Sequence, residues 1–181
     1  KSLQSHEGKK IAYSYLKERD FDDEIIDKFD IGYAIDKWDD IYNHLKNFGF
    51  KKDLILDTGL VIEKNKKLYD RFRNRVIFPI HNVSGKVIAF GGRTLVDTSQ
   101  PKYINSPETI LYKKSQALYG IFQSKNEIRK ENKCYIVEGY TDVISLHQKG
   151  IYNVVASSGT SLTIDQINLI KRYTNNITIL F

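Results

Sequence analysis

From Lys133 onward, the sequence alternates short apolar runs with segments of helical spacing, and this pattern constrains the fold more than any other feature. The apolar runs are CYIVE, NVVAS and ITILF, and the segments between them, 140–148 and 163–173, are long enough for short helices. Strands that alternate with such helices are typical of a parallel sheet with right-handed crossovers. We therefore predict a parallel β-α-β-α-β unit over residues 131–181.

Two carboxylates follow the first of these strands. Glu138 lies at the carboxyl end of the strand, Gly139 permits a sharp turn, and Asp142 falls in the first turn of the next helix. Carboxyl ends of parallel strands meet at one edge, so we expect Glu138 to lie near the Ser157–Ser161 turn. Asp142 also has an ordinary explanation as a charge at a helix start, and two carboxylates alone make an incomplete Mg²⁺ site.

The turn SSGTSLT (157–163) leaves two interpretations open. Backbone N–H groups of such a turn can bind phosphate at a helix N-terminus. The same turn can simply cap the helix through Ser161 or Thr163. The Walker lysine is missing, so an ATPase P-loop is not indicated.

The chain before residue 131 mixes helical and strand patterns. Apolar spacing predicts helices over most of the first 50 residues, one of them capped by Asp22 or Asp23 and one spanning 37–48 with Trp38 on its apolar face. We also predict a strand in 31–35, a helix in 51–60 and an extended piece from Leu60. A hairpin of 76–81 with 86–90 follows, then irregular chain in 97–115 and a helix in 120–132. The overall prediction is an α/β protein, with an α+β region over 1–130 followed by the parallel unit.

Gly91-Gly92 follows the second strand of the predicted hairpin. Glycine tolerates backbone conformations that other residues avoid, so the pair predicts a tight bend before Arg93. Arg93, Lys102, Lys113 and Lys114 would then lie after bends or turns, where loop cations suit phosphate contact.

Positive charge is concentrated in the middle of the chain. Residues 1–63 carry 10 Lys and Arg against 14 Asp and Glu, residues 64–130 carry 14 against 4, and residues 131–181 carry 4 against 4. A net charge of +10 over the middle segment favours a polyanionic partner, although a solvated lysine face has the same composition. Within it, KNKKLYDRFRNR (64–75) interleaves aromatic and basic side chains, as in proteins that bind single-stranded nucleic acid; the alternative is that Leu68 and Phe72 pack inward.

Composition excludes several other classes of protein. A single cysteine, Cys134, excludes a disulfide framework and a cysteine-rich zinc site within these residues, and the four histidines show no metal-ligand spacing. The sequence has neither an apolar run of membrane-spanning length nor a signal-peptide pattern. We expect a cytoplasmic protein without a membrane partner.

Several motifs together resemble the RNA polymerase core of bacterial replicative DNA primases of the DnaG type. They are EGKKIAYSYLKERDF with IGYA, YDRFRNRVIFPIHNVSGKVIAFGGRTL, PKYINSPET, LYKKSQALYG, VEGYTDV and SSGTSLT. The FGGR, PKYINSPET and EGYxDV strings in combination are highly specific, whereas EGYxDV alone indicates only the wider Toprim superfamily. His81-Asn82 stands where the family more often has Arg-Asp, and Thr141 where methionine is common.

The resemblance implies a DNA primase, a nucleotidyltransferase that makes short RNA primers on single-stranded DNA from ribonucleoside triphosphates with Mg²⁺ or Mn²⁺. It implies that Glu138 is catalytic and that Glu138 and Asp142 bind metal. It also implies that template and nucleotide contact a set of mainly basic residues: Arg71, Arg73, Arg93, Lys102, Asn105 and Lys114.

Other family features lie outside the 181 residues. The family's Asp-x-Asp metal motif would begin just after Phe181, and its zinc-binding domain and its helicase-interacting C-terminal domain are not represented. We therefore expect this fragment to bind DNA weakly without polymerising. The alternatives are a nucleic-acid-binding module with a structural Glu138, or a Toprim protein of the topoisomerase or recombination type.

Overall fold

The computed structural model describes residues 2–95, 101–157, 159 and 161–180. The chain begins with a 3₁₀ turn, Ser2–Gln4, and helix α1, His6–Gly8, which continues through a π-helical turn, Lys9–Tyr13, into α2, Ser14–Glu18. Helix α3 spans Asp23–Lys28, and Asp22 caps it by accepting a hydrogen bond from the Ile25 amide at 2.7 Å, as predicted. Helices α4, Asp40–Asn47, and α5, Lys52–Asp57, complete the helical first part.

An antiparallel four-stranded sheet forms the centre of the N-terminal part, in the order β1-β4-β5-β6. Its strands are β1, Gly32–Ala34; β4, Arg75–His81; β5, Val87–Thr94; and β6, Tyr103–Asn105. A separate hairpin joins β2, Val61–Lys64, to β3, Lys67–Asp70. The predicted β4–β5 hairpin is therefore confirmed, and part of the segment that looked irregular, 97–115, contains β6; residues 96–100 lie outside the described residues.

The predicted bend at Gly91-Gly92 is wrong, because β5 runs straight through both glycines to Thr94. The glycines instead allow aromatic rings to lie against the strand. A Cβ atom on Gly91 would come within 2.7 Å of Tyr140 Cζ, and one on Gly92 within 2.6 Å of Phe72 Cδ1. Both contacts join distant parts of the chain, so local sequence could not reveal them.

The predicted β-α-β-α-β unit is confirmed. Strands β7, Cys134–Val137; β8, Val154–Ala156; and β9, Ile177–Ile179 form a parallel sheet in the order β8-β7-β9. Helices α7, Tyr140–Gln148, and α8, Ile164–Lys171, connect them, and α6, Ile121–Lys130, precedes β7. Thr163 caps α8 through a hydrogen bond from the Gln166 amide to its hydroxyl, so capping through this residue is confirmed.

A shared hydrophobic core joins the two parts of the chain. Phe78 of β4 stacks on Tyr140 of α7 with ring centroids 5.5 Å apart, and the edge of Tyr140 meets Tyr119 at 4.6 Å. Tyr119 also exchanges two backbone hydrogen bonds with Ala156, which form an antiparallel bridge at the β8 edge of the sheet. These contacts fix the carboxyl edge of β7 against β5 and β6.

Candidate active site and nucleic-acid interface

Glu138 and Asp142 lie where β7 turns into α7. The Glu138 side chain is exposed directly after the last residue of the strand. Asp142 is also exposed, and its Oδ2 accepts a hydrogen bond from the Gly139 amide at 3.0 Å. Asp142 therefore caps α7, which is the ordinary role that its position predicted, whereas no comparable local bond accounts for Glu138 in the part of the chain described.

Both carboxylates line a cleft of about 350 Å³. The other lining residues come from β6, from the start of α7 and from the turn after β8: Tyr103, Asn105, Gly139, Tyr140, Thr141 and Gly159. Gly159 brings the Ser157–Ser161 turn to the same edge as Glu138, as the topology predicted; Ser158 and Thr160 lie outside the described residues. We call this space the Glu138 cleft.

Asn105 connects the Glu138 cleft to a basic side chain. Its backbone carbonyl accepts a hydrogen bond from Arg71 Nε at 3.1 Å, and its Oδ1 accepts one from the Tyr140 hydroxyl at 2.7 Å. Burial lowers the pKa of Arg71 from its ordinary value, which shows that the guanidinium has lost part of its hydration. An anionic group in the cleft would compensate for that loss.

Arg93 is a buried arginine beside the same cleft. It lies inside β5, opposite Tyr103 of β6, and only 8% of its surface is exposed. Its guanidinium carbon is 4.4 Å from the ring centroid of Tyr15 and 5.6 Å from that of Tyr103. Among the described residues, Arg93 Nε and Nη1 and the Tyr15 hydroxyl have no hydrogen-bond partner. Buried donors without partners are costly, and a phosphate oxygen is the chemical group that suits them.

Arg73 lies on a different surface, which it shares with Trp38. The Arg73 guanidinium carbon is 3.5 Å from the Trp38 ring centroid, and Tyr69 meets the same indole edge-on at 6.0 Å. Trp38 is 67% exposed and precedes α4, so its predicted place on a helix face is wrong. A cavity of about 570 Å³ adjoins Trp38, and two lysines contribute to its wall. The residues that line it are Trp38, Lys64, Asn65, Lys67, Leu68 and Tyr69. We call this the Trp38 surface.

The two remaining basic candidates, Lys102 and Lys114, are not among the described residues that line the Glu138 cleft or the cavity beside Trp38. Lys102 is exposed next to Tyr103, and its carbonyl accepts a hydrogen bond from the Thr94 amide at 3.0 Å. Lys114 opens a 3₁₀ turn, Lys114–Gln116, and its carbonyl accepts a hydrogen bond from Gln166 Nε2 at 3.1 Å. The structure thus brings Asn105 into one cleft with Glu138 and Asp142. Arg71 is hydrogen-bonded to Asn105, Arg93 lies against Tyr103 of the cleft wall, and Lys102 precedes Tyr103 in the chain. Arg73 lies on the Trp38 surface, and Lys114 lies beside α8.

The donor set of the Glu138 cleft suits a divalent cation in part. Mg²⁺ and Mn²⁺ prefer carboxylate, phosphate and water oxygens, and Mg²⁺ is often held by only one or two protein carboxylates. Within residues 2–95, 101–157, 159 and 161–180, no group of three or more His, Cys, Asp and Glu side chains could hold a metal. Glu138 and Asp142 could therefore hold an ion whose other ligands came from phosphates and water.

Sequence reasoning missed three aromatic residues of the site. Tyr15, Tyr103 and Tyr140 hold Arg93 and Asn105 in place. Each lies within one of the quoted motifs, EGKKIAYSYLKERDF, PKYINSPET and VEGYTDV, but its local pattern does not indicate which side chain it contacts. Their roles depend on contacts between β5, β6, α2 and α7, which are distant in sequence.

No helix in the described part of the chain has the length and apolar character needed to cross a membrane.

Comparison with known proteins identifies the family. The family described as DNA primase catalytic core, N-terminal domain, matches residues 1–125, and the one described as Toprim-like matches residues 135–181. The DNA primase of Clostridium acetobutylicum is 50% identical over 169 residues, which cover 93% of this chain and 28% of that protein. The DNA primase of Pseudomonas aeruginosa is 42% identical over 182 residues, covering 99% of this chain and 27% of that protein. The chain thus spans less than a third of the length of these relatives.

Solved structures show the same similarity. The RNA polymerase domain of Mycobacterium tuberculosis primase DnaG, in complex with double-stranded DNA, has a TM-score of 0.93 at 36% identity, over 99% of this chain and 59% of that one. A DnaG primase catalytic domain bound to ssDNA has a TM-score of 0.88 at 42% identity, over 98% of this chain and 55% of that one. The motifs, the fold and these matches lead to one conclusion: the chain belongs to the family of DNA primase catalytic cores, with a Toprim-like part after the N-terminal domain.

Proposed function

We propose that the natural protein carrying this sequence is a DNA primase, which joins ribonucleotides into short primers on a single-stranded DNA template. One observation carries the proposal: a single cleft places the carboxylates of Glu138 and Asp142 beside Asn105, which is bonded to Arg71. Nucleotidyl transfer depends mainly on positioning phosphates and stabilising their charge, and this cleft combines the two kinds of group that do so.

Glu138 and Asp142 have different proposed roles. Glu138 is catalytic and holds a divalent ion, Mg²⁺ or Mn²⁺. Its exposed carboxylate directly follows the last residue of β7, and the bond that caps α7 is made by Asp142 instead. Asp142 also binds the ion, while its Oδ2 keeps α7 in position through the Gly139 amide. When bound, such an ion supplies charge stabilisation for the reacting phosphates.

The basic residues around the cleft bind phosphates of nucleotide and template. Arg93 presents donors that lack partners among the described residues, and Arg71 has lost hydration, so both favour an anion. Lys102 adds an exposed charge beside Tyr103, and Asn105 orients Arg71 through its carbonyl. Lys114 contacts the nucleic acid farther along its path.

The Trp38 surface binds unpaired bases of the template. An exposed indole fixed by Arg73 and Tyr69, with Lys64 and Lys67 on the adjoining wall, combines stacking area with phosphate-binding charge. Arg73 thus contributes to DNA binding by holding the indole in place. The relative described as bound to ssDNA supports a single-stranded ligand for this fold.

We also propose the division of labour in the whole protein. Residues 1–130 form the basic, template-binding part, and residues 131–181 belong to the Toprim part; the two family matches, 1–125 and 135–181, support this boundary. A zinc-binding domain and a helicase-interacting domain complete the natural protein, which acts on replicating DNA in the cytoplasm. Residues 1–181 alone bind DNA but do not polymerise, because their described part has no three-carboxylate site.

A nucleic-acid-binding module without synthesis is the second candidate. It is favoured by Asp142, whose carboxylate already has a structural role as the cap of α7. In that case Glu138 would be an exposed charge without catalytic importance, and only the basic and aromatic surfaces would matter.

The test is ribonucleotide incorporation on single-stranded DNA by the full natural protein with Mg²⁺ or Mn²⁺. We expect Glu138→Gln to abolish synthesis while DNA affinity is retained. Glu131→Gln is the matched control, because Glu131 is an exposed carboxylate that lines a different cavity. Synthesis that survives Glu138→Gln would contradict the catalytic role of Glu138, and a wild-type protein that binds DNA without incorporating nucleotides would favour the binding module.

A further inference from the structure

Two aliphatic side chains project into solvent from the loop that follows β6. Ile110 is 96% exposed and Leu111 is 69% exposed. Single exposed apolar residues are common, but two adjacent ones on a fixed loop next to a functional strand are not explained by folding. We call them the Ile110–Leu111 tip.

The loop holds the tip in a fixed conformation. Thr109 and Tyr112 exchange two backbone hydrogen bonds, of 3.0 and 3.3 Å. The Thr109 hydroxyl also accepts hydrogen bonds from the Leu111 and Tyr112 amides, at 3.2 and 3.1 Å. Tyr112 is almost completely buried in the main core. The turn is therefore closed at its base, and the apolar side chains cannot simply fold inward.

The start of the loop is equally well anchored. The Ser106 amide donates to the Phe90 carbonyl at 2.8 Å, and the Phe90 amide donates to the Ser106 hydroxyl at 3.0 Å. Pro107 packs so tightly against Gly59 that a Cβ there would come within 2.6 Å of the proline ring. Exposed side chains on such an anchored base are suited to contacting a partner without a large cost in conformational entropy.

Charge identifies the class of partner. The tip lies in the segment 64–130, which has a net charge of +10, and Lys113 follows it with an exposed side chain. The one acidic residue of the loop, Glu108, accepts a hydrogen bond from the Lys114 amide at 3.1 Å, so part of its charge is directed back onto the loop. Apolar side chains followed by two lysines suit a nucleic acid, whose bases are apolar on their faces and whose backbone is anionic.

The tip is also close enough to the Glu138 cleft to contact the same duplex. Ile110 follows Asn105 by five residues, so their Cα atoms are at most about 18 Å apart. One turn of a duplex spans about 34 Å, so a helix with one end in the cleft is long enough to reach the tip.

We propose that the Ile110–Leu111 tip is a wedge that packs against base pairs of the template–primer duplex next to its junction with single-stranded template, while Lys113 contacts the adjacent phosphate. The proposal rests on the proposed primase function and adds a site for paired nucleic acid. Apolar wedges of this kind partly unstack a base step and so fix the position of a duplex. The tip thereby holds the junction at a set distance from Glu138.

The test measures binding of the full natural protein to two probes, a DNA hairpin with a single-stranded overhang and the overhang strand alone. 2-Aminopurine at the junction pair reports unstacking. We expect the double variant Ile110→Ser/Leu111→Ser to bind the hairpin about tenfold more weakly, to leave overhang binding unchanged and to lose the 2-aminopurine signal. Ile164→Ser is the matched control, because Ile164 is 77% exposed at the start of α8.

Lys113→Gln provides an independent measurement. We expect it to reduce the slope of log affinity against log salt by about one for the hairpin, as loss of one phosphate contact would. The wedge is overturned if the tip variant binds the hairpin like the wild type, or if both probes lose affinity equally. Unchanged DNA binding together with lost self-association of the protein would overturn it too, and would assign the tip to contact with a second copy. A wild-type protein that makes no primers would contradict the proposed function, and this outcome is distinct from those that overturn the wedge.

Discussion

The hydroxyl of Tyr140 donates a 2.7 Å hydrogen bond to Oδ1 of Asn105. This bond joins the first residue of α7, two positions after Glu138, to the last residue of β6. The backbone carbonyl of Asn105 in turn accepts a hydrogen bond from Arg71 Nε. The bond between Tyr140 and Asn105 therefore helps to hold the acidic and basic sides of the cleft together. The Tyr140 ring is itself fixed by Phe78, Tyr119 and Gly91.

Tyr140→Phe removes this bond and keeps the ring. We expect the free energy of unfolding to fall by about 1 kcal/mol, the typical value of such a bond. Primer synthesis should fall more than stability suggests, because Asn105 no longer fixes Arg71 relative to Glu138. Urea denaturation and ribonucleotide incorporation measure the two effects. Tyr173→Phe is the control, since Tyr173 packs under Arg129 through its ring; equal effects of the two substitutions would contradict the assigned role.

Gly91→Ala places a methyl group against the Tyr140 ring. The new Cβ would lie 2.7 Å from Tyr140 Cζ, so the ring must move, and we expect a loss of about 1–3 kcal/mol in unfolding free energy. Gly32→Ala in β1 is the control, because the nearest atom to the new Cβ is Ile77 Cβ, 3.8 Å away. Denaturation of both variants gives the comparison, and a Gly91→Ala protein as stable as the Gly32→Ala protein would show that the ring is not held there.

The glycine pair shows where sequence reasoning fails. Gly91-Gly92 carries a local signal for a bend, but the residues that need the absence of a side chain, Tyr140 and Phe72, are brought there by other strands and helices. Trp38 fails for a similar reason: it matches the apolar spacing of α4, yet it precedes the helix and contacts Arg73. Cation–π contacts and ring packing leave no periodic pattern in the sequence.

The parallel unit was predictable because its signals are local. Strand β7 and helix α7 each have their own apolar spacing, and Thr163 caps α8 within three residues. The meeting of Glu138 with Gly159 followed from topology alone, since the carboxyl ends of parallel strands share one edge. The pairing of Asn105 with Tyr140 required the antiparallel sheet to be docked on that edge, which no local rule supplies.

Trp38 is the only tryptophan of the chain, so its fluorescence reports directly on the Trp38 surface. We expect single-stranded DNA to quench this fluorescence, and Arg73→Lys to weaken binding about threefold to tenfold, because lysine holds an indole less well than the planar guanidinium does. Arg129→Lys is the control, since Arg129 lies over Tyr173 on another surface. Fluorescence that stays constant while anisotropy of a labelled strand shows saturation would exclude base stacking on Trp38.

A buried histidine predicts how stability depends on pH. His147 lies almost completely inside the core, 3.0 Å from the Ser124 hydroxyl through Nε2 and edge-on to Phe29. Burial, and to a smaller extent the charge of Lys28, lowers the pKa of His147 to about 3. The folded protein therefore keeps this side chain neutral across the pH range in which an exposed histidine takes up a proton.

Stability should consequently fall as the solution becomes acidic. Below about pH 6.5 the unfolded chain binds a proton at His147 that the folded chain does not, so the contribution is complete above that pH and is lost progressively towards pH 3. The slope from this residue is at most about 1.4 kcal/mol per pH unit. We expect His147→Gln to flatten the dependence of the unfolding free energy on pH between 5 and 6.5. This holds even where the substitution also changes the unfolding free energy at neutral pH. An unchanged slope, or a His147 NMR resonance that titrates near pH 6 in the folded protein, would contradict the neutral buried state.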